Sequence, residues 1–223
     1  MTNKLSIIIT VKDRDEHLVN CLQSINNNHL FISEVVVVHM NQPAKQHLKV
    51  LLPDVKLNQV VIYDPTQELP LAKARNFGTI MAVSNNLFFL DVDCVLDSQC
   101  CKHYLQHISN TNVLMGRCQY LPENKQHLKR NTRMKPTWDL FWSLSFVVTK
   151  DLFSYLNGFD EDFTNYGYED TDFAYRAHKH GIGFKWIDQA VVYHQWHEQS
   201  KVKHQESLNR NKKLFESKHG FIV

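Results

Sequence analysis

Glycine is scarce in this chain, with seven in 223 residues, at positions 78, 116, 158, 167, 181, 183 and 220. No three of them fit G-x-G-x-x-G, and no G-x-x-x-x-G-K-[ST] occurs. Both motifs work because a backbone without Cβ can approach phosphates closely. Their absence excludes a P-loop NTPase and a typical dinucleotide-binding Rossmann enzyme. A nucleotide bound here must have its phosphates held by other means, and histidine with carboxylate around a metal is the obvious candidate; thirteen histidines are present. Charge of one sign is also lacking: 25 Lys and Arg against 23 Asp and Glu leave +2. That is too little to favour nucleic acid or a membrane through bulk electrostatics. Long apolar runs are missing too, the stretch Glu34–Val38 being strand-length and far short of a membrane span. The first residues run straight into a strand with no signal-peptide pattern. Five cysteines, Cys21, Cys94, Cys100, Cys101 and Cys118, have neither metal-ligand nor disulfide-framework spacing and read as reduced thiols. Together these features predict a cytoplasmic protein without a transmembrane segment, in which peripheral membrane contact stays open.

An apolar content of 43% with 22% charged residues is ordinary for a globular protein with ample core. The first half alternates strand and helix. Leu5–Val11 reads as a strand buried on both faces. Asp13, Asp15 and Glu16 then form an acidic first turn, and Leu18, Cys21, Leu22 and Ile25 a helical face. Glu34–His39, Gln59–Tyr63 and Leu87–Val92 read as further strands. Residues 71–83 read as a helix with Ala74, Phe77, Gly78 and Met81 on one face, and Cys101, Tyr104, Leu105 and Ile108 mark another. Such alternation predicts an α/β fold with a mostly parallel central sheet and helices on both faces. Ligands collect at the carboxyl ends of its strands. Tyr120–Thr137 is a basic, aperiodic loop; it and the region from Glu198 onward are candidate lids. Beyond the loop, Leu140–Thr149 is strand-like, Lys150–Leu156 and Glu169–His180 helical, Phe184–Ile187 and Ala190–Tyr193 short strands, and Gln205–His219 a last helix.

Three constellations could carry chemistry. At the end of a buried strand, Leu87–Leu90 runs into Asp91-Val92-Asp93. Carboxylates there are costly to desolvate unless paired or bound to a cation. They either engage a divalent ion bridging a diphosphate, or simply mark the strand end. In Asn165–Asp172, aromatic residues flank Gly167 and carboxylates open a helix, whose N-terminus favours their ionised form. That suits a general base, and equally suits a helix start favoured by the macrodipole. Lastly, His194 and His197 follow an apolar strand. Residues three apart on a regular strand face opposite ways, so the chain must turn at Gln195-Trp196 for both imidazoles to meet one metal. Imidazole with carboxylate suits Mn²⁺ better than a calcium site. Chance proximity among thirteen histidines is the plainer reading.

Taken in order, these segments resemble the GT-A fold glycosyltransferases of family two and their galactosyltransferase-related branch, which includes the β-1,4-galactosyltransferases. Ile9–Leu18 is similar to the strand and turn that cradle uridine diphosphate in that family. Leu71–Gly78 resembles its A-K-x-x-N-x-G helix, Asp91-Val92-Asp93 its metal-binding D-V-D, and Asn157–Asp160 with Gly167–Asp172 its N-G-F…W-G-G-E-D-D-D segment. The resemblance implies one GT-A domain over residues 1–223, with a nucleotide-binding half, 1–97, ending in D-x-D and an acceptor-binding half, 98–223. It implies that Thr10, Val11, Lys12, Arg14, Lys73, Asn76, Asp91 and Asp93 bind the nucleotide sugar. Asp93, His197 and His194 would ligate a divalent metal, Mn²⁺ or Mg²⁺, His194 standing where the galactosyltransferases use a methionine. Asp170 would be the general base, aided by Glu169, with Tyr166, Gly167 and Asp172 toward the acceptor. Tyr166 for Trp and Tyr168 for Gly depart from the galactosyltransferase pattern and leave the sugar open.

The activity so implied is inverting transfer of a hexose or N-acetylhexosamine from a UDP-sugar to a glycan or glycolipid hydroxyl. A nucleotide-sugar-binding relic without turnover is the non-enzymatic alternative. A sugar-phosphate nucleotidyltransferase fits less well, since the turn Val11–Arg14 lacks that family's glycines.

Overall fold

The computed structural model describes residues 3–66, 68–122, 137–198 and 201–220, the first four of the last segment by backbone only. Most of the candidate lid at 120–137 thus lies outside the described residues, as do Gln199 and Ser200. The chain begins β1 (Leu5–Val11), α1 (Asp15–Asn26), β2 (Ile32–Met40), β3 (Lys56–Ile62), α2 (Leu71–Met81), β4 (Asn86–Leu90). It continues β5 (Cys94–Leu96), α3 (Cys100–Leu105), β6 (Asn112–Tyr120), β7 (Ser145–Thr149), α4 (Lys150–Tyr155), α5 (Glu169–Lys179), β8 (Gly183–His194) and α6 (Lys201–His219). All eight strands join one sheet in the order β3-β2-β1-β4-β7-β6-β8-β5. Four of its seven neighbouring pairs are parallel, β7 entering antiparallel to both β4 and β6 and β5 antiparallel to β8. The two expected halves share this sheet, because β4 pairs with β7 and β5 with β8.

Strand periodicity sorts the core. Ile7, Ile9 and Val11 point to one face, where they meet Leu18, Cys21, Leu22 and Ile25 of α1 and Cys100, Cys101 and Tyr104 of α3. Ile8 points to the other face, with Leu87, Phe89, Phe146 and Val148, under α4 and α5. There Phe89 stacks on Phe146 at 4.6 Å, and Phe153, Phe159 and Phe173 close around them. This aromatic block seats α5, and hence the carboxylates at its start. Gly78 lets α2 lie close on β1: a Cβ there would stand 2.5 Å from Ile8 Cγ2. All five cysteines are free and buried.

Some local expectations need correction. Of Leu140–Thr149 only Ser145–Thr149 is strand; Trp138–Leu140 is a 3-10 turn, and residues 141–144 instead line a cleft. The two short strands at 184–193 are one strand, β8, whose pairing with β6 jumps from Gly116–Ile187 to Arg117–Val191 across an irregularity. On α2, Phe77 and Met81 are partly exposed, while Ala72, Ala74, Arg75, Gly78 and Thr79 are buried. Strands β5 and β6 were not marked by the sequence pattern.

Candidate active site

The cleft lies where the parallel strands end, outside the carboxyl ends of β1 and β4, and encloses about 530 Å³. Thr10, Lys12 and Arg14 line it after β1, Asp91, Val92 and Asp93 after β4, and Arg75 from α2. The opposite wall is Ser143 and Leu144 leading into β7, Tyr166–Thr171 at the start of α5, and His194 at the end of β8. Trp142 and Tyr166 stand half-exposed at the lip.

Strand β8 ends at His194, and in the irregular stretch beyond it Gln195 N–H donates to the Asp93 carbonyl at 2.7 Å. This irregular stretch brings together Asp93, His194 and His197, one donor atom of each lying within 4.8 Å of the others. His194 Nε2 lies 3.4 Å from Asp93 Oδ1, and His197 Nε2 lies 3.3 Å from Asp93 Oδ2. Burial opposes charge on Asp93, but His197, His194 and Arg14 together hold its carboxyl below the usual range. Burial lowers the pKa of His194, whereas the hydrogen bond to Asp93 raises that of His197. The Asp93 Oδ1 atom is buried without a hydrogen-bond partner. An ionised carboxylate with an unused oxygen, beside a neutral imidazole and a second imidazole, is a donor set that fits a borderline divalent ion. Tyr120 packs on the His194 ring at 4.9 Å and helps fix its orientation.

The second centre is Arg75, buried between carboxylates. Its Nη1 donates to Glu169 Oε1 at 2.9 Å and its Nη2 to Asp91 Oδ1 at 3.2 Å. Burial and the neighbouring Asp170 raise the Glu169 pKa to about 7. Burial and the charge of Asp93 push Asp91 up to about 6 against the pull of Arg75. Asp170 accepts from its neighbour Thr171 N at 2.8 Å and from Ser143 N at 3.4 Å, yet burial still raises its pKa. Against the helix N-terminus, which favours the ionised form, burial pushes the carboxyls of Glu169 and Asp170 upward.

Of the residues expected at the site, Thr10, Lys12, Arg14, Asp91, Asp93, Tyr166, Gly167, Glu169, Asp170 and His194 line the cleft, and His197 joins the cluster at its edge. Four lie elsewhere. Val11 turns its side chain into the core. Lys73 is exposed on α2 away from the cleft lining. Asn76 is engaged by the turn before α5, accepting from Phe159 N at 2.9 Å and donating to the Phe159 carbonyl at 2.8 Å. Asp172, buried, accepts from Arg176 Nε at 2.8 Å and pairs with His219 Nε2 at 2.8 Å. Helical geometry explains the shift on α2: adjacent residues lie about 100° apart, so Arg75, not its flanking Lys73 or Asn76, faces the cleft. A single arginine on the small-residue face of that helix was the signal available.

Residues 6–200 match the model of the glycosyltransferase-like family 2. The chain belongs to that family. Over 51 residues it is 45% identical to validoxylamine A glucosyltransferase of Streptomyces hygroscopicus subsp. jinggangensis, a match covering 23% of this chain and 12% of that protein. It is 26% identical over 159 residues to chondroitin synthase of Escherichia coli, covering 63% of this chain and 23% of the relative. The family 2 chain thus spans under a quarter of the length of these curated relatives. Among solved structures, S. aureus TarS in complex with UDP-GlcNAc superposes with a TM-score of 0.71 at 17% identity, over 96% of this chain and 66% of TarS 1-349. GalNAc-T7 with UDP, GalNAc and Mn²⁺ gives 0.73 at 16% identity, over 96% of this chain and 47% of that one. These likenesses show that the family 2 chain has the GT-A fold. Among the described residues no helix is long and apolar enough to cross a membrane.

Proposed function

We propose that this family 2 chain is an inverting glycosyltransferase that moves a hexose or N-acetylhexosamine from a UDP-sugar to a hydroxyl of a glycan or glycolipid. The observation that carries the reading is one cleft lined by Asp170 and bearing an Asp-His-His cluster at its edge. Lys12 and Arg14 supply positive charge for the diphosphate. Asp93, His194 and His197 would hold a divalent cation, Mn²⁺ or Mg²⁺, which when bound neutralises developing charge on the departing diphosphate. GalNAc-T7 was solved with UDP and Mn²⁺, which supports this assignment by analogy.

Asp170 accepts the proton of the acceptor hydroxyl as that oxygen attacks the anomeric carbon. The bond from that carbon to the diphosphate oxygen breaks, UDP departs with the bonding pair, and the anomeric centre inverts. Burial raises the pKa of Asp170, which makes its carboxylate a stronger base. Glu169, locked to Arg75, orients the start of α5 rather than taking the proton. Tyr166 and Trp142 at the lip offer faces for sugar rings. Tyr168 keeps a left-handed backbone (φ 72°) where the galactosyltransferase motif has glycine. This supports kinship in the backbone path, while the phenol reshapes the sugar pocket, so galactose is one candidate among the hexoses.

The test is a screen of UDP-glucose, UDP-galactose and their N-acetyl forms with Mn²⁺, following UDP release. Release from one of them supports the reading. No release from any would overturn the UDP-sugar assignment and favour a binding relic.

A further inference from the structure

The stretch matched by the family model ends at residue 200, before the side chains of α6 begin to pack on the site. Between Thr164 and Glu169 the backbone takes an unusual path: Asn165 (φ 61°), Gly167 (φ 95°) and Tyr168 (φ 72°) are all left-handed. Two of these are not glycine, and each such residue costs about 1 kcal/mol or more, so the surroundings must impose the path. One side is tied to the donor half, since Asn165 N–H donates to the Leu69 carbonyl and Leu69 N–H to Asn165 Oδ1, both at 2.8 Å. The other side is tied to α6. Asn211, 1% exposed, sends its amide NH₂ to the carbonyls of Thr164 at 2.9 Å and Gly167 at 2.8 Å. Leu208, one turn earlier, packs where a side chain at 167 would stand, 2.4 Å from that Cβ. Phe215, one turn later, is fully buried and meets the Tyr168 ring at 5.8 Å.

We infer that α6, outside the family-matching segment, completes the active site, and that Asn211 is the positioning residue that fixes the loop presenting Glu169 and Asp170 to the cleft. The inference rests on the glycosyltransferase reading above and names the element that sets its geometry. Two carbonyls three residues apart in a strained loop converge on one buried amide, which ties the loop to α6. Without the amide the Gly167 carbonyl loses its donor and the Thr164 carbonyl keeps only Arg210 Nη2 at 3.1 Å, so the left-handed residues relax and Asp170 moves relative to the anomeric carbon. A misplacement of about 1 Å at a reacting group costs on the order of 10²-fold in rate. The donor-binding wall, Thr10, Lys12, Arg14 and Asp93, has no bond to α6 among those described.

The test uses three variants of the full chain. Asn211→Ala removes the amide, Asn211→Asp keeps its shape but replaces the donor, and Lys218→Ala loosens α6 elsewhere by breaking its ion pairs with Asp160 and Asp162. Each is assayed for UDP affinity with Mn²⁺, for kcat and donor KM, and for amide exchange at residues 164–170. Both Asn211 variants are expected to keep UDP affinity and donor KM, lose kcat by about 10²-fold, and exchange faster in that loop. Lys218→Ala is expected to melt earlier with kcat unchanged. Wild-type kcat in the Asn211 variants, or a loss merely proportional to their unfolded fraction, would overturn the inference. Absence of turnover in the unaltered protein indicts the glycosyltransferase reading instead; loop exchange then decides, unchanged protection in Asn211→Ala overturning the positioning role and faster exchange supporting it.

Discussion

Arg75→Met removes the guanidinium that joins Glu169 to Asp91 and leaves both carboxylates in place. The Arg75 and Glu169 side chains are 5% and 6% exposed, so that pair is out of reach of solvent screening, whereas Asp91 at 36% is partly hydrated. Breaking a buried pair by deleting one partner costs about 3–5 kcal/mol, and most of that falls on Glu169. The loss depends on pH in a definite direction. The Glu169 pKa is about 7 in the fold against an ordinary 4.5. The native state therefore holds a proton that the unfolded chain has released. Its stabilising contribution is complete below the ordinary value and is lost as pH rises through the folded one. Without Arg75 the folded pKa climbs further. At about pH 5.5 Glu169 is mostly neutral with or without the arginine, and the deficit is small; at about pH 8.5, roughly 1.5 pH units above the folded pKa, protonation holds the Glu169 deficit to at most about 2 kcal/mol. Urea unfolding of both proteins in EDTA at the two pH values measures this, provided the m-values agree. A deficit under about 1 kcal/mol at the higher pH, or one equal at both, would refute a charge-paired Arg75.

Other expectations concern the cluster and the sheet. Asp93→Ala removes the carboxylate shared by His194, His197 and Arg14, so Mn²⁺-dependent UDP binding and turnover are expected to vanish together, read by calorimetry and UDP release. UDP binding that stays Mn²⁺-dependent in this variant would remove Asp93 from the ligand set. Gly78→Ala puts a methyl 2.5 Å from Ile8 Cγ2, and the overpacking is expected to cost about 1–3 kcal/mol in urea unfolding with kcat retained.

Periodicity made the first half of the fold legible. Leu5–Val11 reads as a strand covered on both sides, and alternate residues do feed two separate cores. Strand β6 was not legible because Gly116 and Arg117 interrupt its apolar run, and its place between β7 and β8 is a tertiary fact that no local pattern carries. The acidic strand end and the two histidines were visible as motifs, but only the pairing of β5 with β8 and the irregular stretch after His194 bring them together. On α2 the motif drew attention to Lys73 and Asn76, while the cleft takes Arg75, a matter of helix rotation. Asp172 lies two positions beyond Asp170, which on a helix turns it roughly 200° away, toward Arg176 and His219. The contribution of α6 was hidden, since Asn211 acts through backbone carbonyls and has no motif.

The measurement that bears most directly on the account is Asp170→Asn, assayed for turnover of the active UDP-sugar and for UDP affinity with Mn²⁺. The amide keeps the side chain's shape but cannot accept the acceptor's proton as a base. Turnover is expected to fall by about 10²–10⁴-fold with UDP affinity unchanged. Turnover near that of the unaltered protein would contradict the account and take the general base away from Asp170.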